Sequence, residues 1–281
     1  ESMNPYLLDL PAVVSFSGGR TSGFMLWNIL QAFGGKLPDG VLVCFQNTGL
    51  EHEATYAFVE RVSEEWGVPI HWLEYRVTDG GHDYAQVTPA TASRKGEPFD
   101  ALIQKKGYLP NPRSRICTTN LKLRTLDRHL KTLPAFRDGY TNAVGLRWDE
   151  PHRVHRMKAD NARETVVCPL YQARVAESDV LEFWARCALS GFDLHLPHGN
   201  NTFGNCVGCF LKSKPKTDLI AETEPHHLEW WARAEELRIS DGPGGLFRND
   251  REPYARILQR VREQGRFDWP EEDSMPCVCH D

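Results

Sequence analysis

The stretch VVSFSGGRTSGFMLWNIL, beginning at Val13, constrains the fold more than any other part of the chain. It reads as a short buried strand over 13–16 and a helix over 21–33, with Phe24, Leu26, Trp27 and Leu30 available to pack. Between them lies Ser17-Gly18-Gly19-Arg20-Thr21-Ser22. A glycine pair weakens any helix or strand that it interrupts, so its natural place is the turn between the two. The alternation continues with strands over 41–45 and 70–75 and helices over 53–66 and 121–133. Short strands at 143–146 and 166–167 follow, then a helix from an N-cap at Ser178 through Cys187. Strands alternating with helices build a parallel sheet covered on both faces. The expected fold class is therefore α/β: an open, mostly parallel sheet flanked by helices, with a helical, cysteine-bearing C-terminal lobe.

The sheet domain is expected over 1–196 and the lobe over 197–281, with helices near 228–237 and 253–261. Trp230 and Trp231 are expected to anchor that lobe in the core. Residues 77–115 break the alternation with prolines, glycines and mixed charge. They are too many for a plain connection and read as a flap-like insertion.

The glycine turn has a physical use at that position. In open parallel sheets, ligands bind at the carboxyl ends of strands, near the point where strand order reverses. Gly18 and Gly19 let backbone N–H groups approach an anion at the start of the next helix, where the helix dipole also favours negative charge. Ser15, Ser17, Thr21 and Ser22 are candidate hydroxyl donors, and Arg20 offers a fork suited to phosphate oxygens. A strand–helix turn that holds nothing needs no such concentration of donors. The Gly-x-x-x-x-Gly-Lys spacing of the other common phosphate loop is absent.

SFSGGRTSG resembles the PP-loop of the adenine-nucleotide α-hydrolase superfamily. FQNTGLEHEATYAFV, over 45–59, is similar to the second-strand segment of phosphoadenosine phosphosulfate (PAPS) reductases. CTTNLKLRTLDRHL, over 117–130, and AVGLRWDEPHRVHR, over 143–156, resemble segments of the adenylyl-sulfate reductases. NCVGCFLK, over 205–212, lies where that family carries its Cys-x-x-Cys. The resemblance spans 13–212 in the family's order. It implies nucleotide contacts from Asn47, Thr48, Gly49, Gly145 and Arg147, and anion contacts from Arg115, Lys122 and Arg153. Asp149 and Glu150 then either hold those arginines in place or bind a magnesium ion.

Eight cysteines without a charged-then-apolar leader point to a reducing, cytoplasmic setting and to metal or redox chemistry. Cys206 and Cys209 have metal-ligand spacing, with Gly208 permitting the tight turn, and Cys117 precedes a helix start. The resemblance implies a 4Fe-4S cluster on Cys117, Cys206, Cys209 and a tail cysteine, Cys277. This chain has Ile116 where the family has a neighbouring cysteine, so the fourth ligand stays open between Cys277, Cys279 and no protein ligand. The rival is zinc on Cys206, Cys209, Cys277 and Cys279, or with His195 and His198; it leaves Cys117 without a role. Cys44, Cys168 and Cys187 read as packing residues, and His152, His155, His226 and His227 as surface or packing histidines.

An adenine-nucleotide cradle, cations and thiols together describe an enzyme of sulfur metabolism. In the first scheme the nucleotide is PAPS or adenylyl sulfate, a tail cysteine (Cys279, with Cys277 on the cluster) attacks its sulfur, and a thioredoxin-like reductant completes the cycle. In the second, ATP is the nucleotide and a nucleic acid is thiolated. The third alternative is a non-catalytic nucleotide-sensing iron–sulfur module. A net charge of −5 argues against a general nucleic-acid coat protein but not against a local basic patch, and no apolar run has the length of a membrane span. The sequence allows a homodimer.

Overall fold

Alternate side chains of the first strand enter two different cores, and this fixes the layers of the protein. The computed structural model describes residues 4–239 and 245–266. Strand β1 (Ala12–Ser15) sends Ala12 and Val14 to one face, where α1 (Arg20–Ala32) and α2 (Glu53–Trp66) pack on the sheet. Val13 faces the opposite core, beneath a helix that carries Leu126 and Leu130. Strand β2 (Val41–Gln46) repeats the pattern, with Val43 and Phe45 on the first face and Cys44 on the second. This is the period-two signature of a strand buried on both sides.

The chain continues through β3 (Ile70–Thr78), β4 (Gly81–Val87), α3 (Glu97–Lys106), a π-helical segment (Thr118–Leu123) and α4 (Arg124–Thr132). Next come β5 (Tyr140–Val144), α5 (Pro151–Arg156), β6 (Glu164–Val167), α6 (Pro169–Gln172) and α7 (Glu177–Ala188). Helices α8 (Asn200–Phe203), α9 (Lys214–Thr223), α10 (His226–Ile239) and α11 (Tyr254–Gln264) complete the described chain. The six strands lie in the order β4-β3-β2-β1-β5-β6, parallel except for β4 against β3. The expected fold class is the observed one. From β1 the chain steps outward through β2 and β3, then returns to place β5 on the other side of β1. The crevice between the carboxyl ends of β1 and β5 is thus the topological switch point.

Two expectations are corrected. Residues 77–115 hold regular structure: β3 runs on to Thr78 and turns into β4, and α3 follows with glycines at both ends. Alternation across β4 is weak because its side chains are only half-buried, so its sequence gives no strand signal. The helix over 121–133 begins earlier, as the π-helical segment directly after Cys117. A further core joins α3 to the C-terminal helices, with Phe99, Leu102, Leu121, Trp230, Trp231 and Tyr254 in one buried cluster. The lobe is therefore built against the 77–115 region. The tryptophans anchor it as expected, with Trp231 fully buried and Trp230 nearly so.

The core beneath α4 contains a buried histidine, His129, paired with the half-buried His71, and it makes stability depend on pH. His129 is 3% exposed, its Nε2 lies 3.0 Å from His71 Nδ1, and its Nδ1 lies 3.3 Å from the Tyr84 hydroxyl. Burial, reinforced by His71, lowers the His129 pKa to about 4. The fold favours the neutral ring, so its contribution is complete above the free value of 6.5 and is lost as pH falls toward about 4. Acidification across that window should cost about 3 kcal/mol through this residue. Urea denaturation at pH 7, 5.5 and 4 measures it. His129→Asn should flatten the profile by about one proton.

Candidate active site

The glycine loop sits at the switch point. Ser17, Gly18, Gly19, Arg20 and Thr21 form one wall of a cleft, and Gly145 and Arg147, just past β5, form the wall opposite. Gly18 has φ +80°, and a Cβ there would lie 2.8 Å from Thr55 Cγ2 and 2.9 Å from Val59 Cγ2 on α2. Its lack of a side chain is demanded by the protein's own packing. Gly19 differs. Its φ of −99° suits any residue, and a Cβ would meet only Ser17 Oγ at 3.5 Å. Nothing inside the protein requires glycine at 19, and the space that a side chain would take lies at the cleft. Gly19 is also the N-cap of α1, where no side chain caps the helix and no acidic residue occupies the first turn. The helix therefore presents uncapped amides and its positive end to the cleft.

The cations are held by carboxylates. Arg147 donates from Nη1 to Thr21 Oγ1 at 3.1 Å and from Nε to Asp149 Oδ1 at 2.9 Å, and it pairs with Glu150 at 3.7 Å. Arg153 donates to Glu150 Oε1 at 2.5 Å. Asp149 and Glu150 thus position the arginines, one of the two roles open to them. Hydrogen bonds from Arg147 and from the Glu177 amide help hold the Asp149 pKa below its usual value, against burial that acts to raise it.

A second cavity adjoins the first. Cys117, Cys206 and Cys209 line it together with Thr48, Lys122 and Trp231, and Asn205 lines both cavities. Gly208 makes the turn between the two nearby cysteines at φ +81°, where a Cβ would lie 2.6 Å from Leu228 Cδ2. The Trp231 indole N–H donates to Val207 O at 2.8 Å and the Tyr254 hydroxyl to Gly208 O at 2.5 Å. Residues after β2 meet this turn: Val207 N–H donates to Leu50 O at 2.8 Å, and Thr48 Oγ1 lies 3.2 Å from Cys206 Sγ. Burial, with Glu51 acting in the same direction, pushes the Cys206 thiol well above its ordinary pKa, while Lys122 pulls it down. Three thiols on one cavity offer the donor type of an iron–sulfur cluster or of a zinc site. Cys277 and Cys279 lie outside the described residues, and His195 and His198 are exposed.

Several expected contacts are arranged differently. Arg20 forks onto Asp193 (2.9 and 2.8 Å) and Leu194 O, so its guanidinium pins the 193–194 segment rather than standing open to phosphate. Ser22 is fully buried and closes the loop, its Oγ 2.9 Å from Ser17 Oγ and 3.2 Å from Gly19 O. Ser15 donates at 2.8 Å to Asn142, itself bonded to Glu164, inside the sheet. Asn47 is buried, bonded to Glu74 and Ser93 O, with its Oδ1 accepting from the Gly49 amide. Asn47, Thr48 and Gly49 therefore shape the exit of β2, and Thr48 faces the thiols. Lys122 is at the thiol cavity and Arg153 at the cleft, while Arg115 Nε reaches Pro112 O at 3.4 Å in the turn before Cys117. Cys44 and Cys168 are buried, Cys187 half-buried.

Thr55, Glu177 and Asn205 join the cleft without having been read from the sequence. Asn205 carried a weak signal: it adopts φ 55°, a conformation asparagine tolerates, directly before Cys206. Two groups have ligand atoms within 4.8 Å of one another among the described residues, and the three thiols are not one of them: Cys44, His71 and His129, and His52, Glu224 and His227. In the second, His52 Nδ1 accepts from the Ala54 amide, so a neutral ring carries its proton on Nε2 and donates to Glu224.

No protein-family model matches the chain. It is 30% identical over 225 residues to the uncharacterized nin region protein ORF290 of Escherichia phage lambda, covering 75% of this chain and 70% of that protein. Similar solved structures include the U34-tRNA thiolase NcsA of Methanococcus maripaludis with its 4Fe-4S cluster (15% identity, TM-score 0.41, 97% of this chain and 80% of that one). A PAPS reductase of Candida auris in a phosphate complex matches at 15% identity and TM-score 0.42, over 70% of this chain and 90% of that one. The NH3-dependent NAD synthetase of Campylobacter jejuni, with nitrate, matches at 13% identity and TM-score 0.40, over 94% and 90%.

The two loop glycines should respond oppositely to a side chain. Gly18→Ala places a methyl against Thr55 at a left-handed φ and should cost about 1–3 kcal/mol in urea denaturation. Gly19→Ala should leave stability within about 0.5 kcal/mol.

Proposed function

The chain belongs to the same family as the phage lambda nin region protein ORF290, and we propose that it is a PP-loop enzyme that binds an adenine nucleotide by its phosphates and performs sulfur chemistry on it. One observation carries this reading. The glycine-loop cleft and the three-thiol cavity meet at Asn205, so a group on a bound phosphate and a thiol-borne centre share one wall.

The nucleotide's phosphates take the uncapped amides after Gly19, the Ser17 and Thr21 hydroxyls, and Arg147 and Arg153 across the cleft. In the first reading the nucleotide is PAPS or adenylyl sulfate. The Cys279 thiolate attacks its sulfur. A sulfur–sulfur bond forms as the sulfur–oxygen bond breaks, and the electron pair departs with the nucleotide phosphate, whose charge Arg147 neutralises. A thioredoxin-like dithiol then reduces the S-sulfonate, releasing sulfite and becoming a disulfide. Cys117, Cys206 and Cys209 fit an iron–sulfur centre, which would supply Lewis-acidic iron beside the reacting sulfur. Because Cys206 is buried, its thiolate needs a cation close by, which a metal or Lys122 provides.

The intact Ser17-Gly18-Gly19 cradle favours a second reading, in which ATP is cleaved to pyrophosphate as an acceptor on a nucleic acid is adenylated. The outer sulfur of a cysteine persulfide, loaded by an external persulfide donor, then displaces AMP to leave a disulfide between protein and acceptor. A second thiol attacks the protein's sulfur of that disulfide, releasing the thiolated acceptor and leaving a protein disulfide for a dithiol reductant.

Gly19→Val tests the cradle: affinity for ATP, AMP and PAPS should be abolished in calorimetric titration while the fold remains. Undiminished binding of all three would overturn the assignment. Incubation with PAPS or adenylyl sulfate should leave a sulfonate on the C-terminal peptide by mass spectrometry. An unmodified peptide beside acceptor-dependent pyrophosphate release selects the ATP reading.

The metal centre is tested separately. Anaerobically purified protein should carry iron and acid-labile sulfide, and Cys117→Ser should lower both. Stoichiometric zinc that survives Cys117→Ser would instead establish a zinc site.

A further inference from the structure

The protein carries five more acidic than basic residues, yet one region collects cations without neutralising them. Lys105 and Lys106 end α3, Arg124 and Arg128 lie one turn apart on α4, and His82 is on the edge strand β4. These elements are neighbours, since α3 packs on β3 beside the π-helical segment, and α4 packs on both β3 and β4. Among the described residues none of the four Lys and Arg side chains has a carboxylate within ion-pair distance, although Lys131 on the same helix is paired with Asp127 at 2.6 Å. Asp160 feels the field of Arg124 without pairing with it. Arg128 Nη1 is buried and has no hydrogen-bond partner among the described residues. All four cations act on His82, adding to burial in lowering its pKa, which places them around one spot.

Like charges gathered from two helices around an edge strand repel one another, so their grouping is favourable only when a polyanion covers them. Arg124 and Arg128 are separated by about 6 Å along the helix axis, and the lysines widen the face beyond what a single small anion can touch. Tyr108, 40% exposed and two residues past Lys106, offers a ring on which a base can stack. An acidic peptide has no comparable use for that ring. The helical segment that bears Arg124 and Arg128 also bears Lys122 at the thiol cavity, so a chain lying on this face leads toward the thiols.

We infer that the face formed by Lys105, Lys106, Arg124 and Arg128, beside β4, binds the phosphodiester backbone of a single-stranded nucleic acid. The face would serve the ATP reading as an acceptor site, but its binding does not rest on that reading or on an occupied nucleotide cleft.

The test is fluorescence anisotropy of the full chain with 5′-fluorescein-labelled 30-nucleotide DNA and RNA of mixed sequence. Four backbone contacts predict a loss of about 50-fold in affinity between 50 and 200 mM KCl. Lys105→Glu with Arg124→Glu, both exposed positions, should weaken binding at least tenfold and flatten the salt dependence. Arg128→Gln should weaken it more mildly. Lys36→Glu, exposed and just past the C-terminal end of α1, should leave it unchanged, as should Gly19→Val, which separates this inference from the cradle assignment. Thermal melts report whether each variant folds. Absence of saturable binding to both oligonucleotides at 50 mM KCl would overturn the inference. So would binding indifferent to the Lys105 and Arg124 reversals in folded protein, or equal binding of polyglutamate at matched charge.

Discussion

The arrangement of the molecule depends on one backbone meeting. After β2 the chain turns through Asn47–Glu51, and its Leu50 carbonyl accepts the Val207 amide while Glu51 forms an isolated bridge with Cys206. A segment from the sheet's carboxyl edge thereby becomes the support of a cysteine turn more than 150 residues later in the chain. Glu51 is itself held by the Thr48 hydroxyl at 2.7 Å and the Tyr56 hydroxyl at 2.9 Å. Buried carboxylates with full hydrogen bonding are rigid supports. This meeting, with the buried core around Tyr75, Leu121 and Trp231, keeps the phosphate cleft and the thiols in one body.

The two cavities then differ in their electrostatics. The cleft is polar, its arginines already matched to Asp149, Glu150 and Thr21, and an arriving phosphate must compete with or reorganise those pairs. Such pairing keeps the guanidinium groups oriented before a ligand arrives, which lowers the ordering cost of binding. The thiol cavity is drier: Phe99, Phe210, Leu211 and Trp231 line it. A buried thiol in apolar surroundings resists ionisation, and at Cys206 burial outweighs the opposing pull of Lys122.

Much of this was legible in the sequence, and the failures have physical causes. The strand–glycine–helix pattern at Val13 identified the first loop because a short, continuously apolar strand is followed by two glycines and then by a helix with apolar residues at helical spacing. The cleft followed from topology alone. What could not be read is which polar side chains would find partners inside the protein. Arg20 looked like a phosphate ligand, but Asp193, 173 residues away, takes its fork. Ser15 and Ser22 looked like donors to a ligand, but each bonds to a partner inside the protein, Ser15 to the buried Asn142 and Ser22 to Ser17 and the Gly19 carbonyl. Side chains of one residue type serve either purpose, and only the fold decides between them. The β4 hairpin escaped because a half-buried edge strand does not alternate cleanly, and the π-helical winding after Cys117 has no compositional mark.

That winding sets a limit on how this protein can vary. In an α-helix, residues five apart are turned about 140° from one another, whereas i→i+5 hydrogen bonding brings them close to one line. Cys117 and Lys122 are five apart, and both reach the thiol cavity. The Arg124 amide bonds to Thr119 O, and the Thr125 hydroxyl, at 2.9 Å, holds the Asn120 carbonyl that the wider turn leaves available. Loss of one residue between Cys117 and Lys122 would let the segment relax to an ordinary helix and swing the lysine away from the thiols. Homologues that keep the chemistry are therefore expected to vary here by substitution and not by length, so that spacing, more than identity, is the inherited trait of this segment.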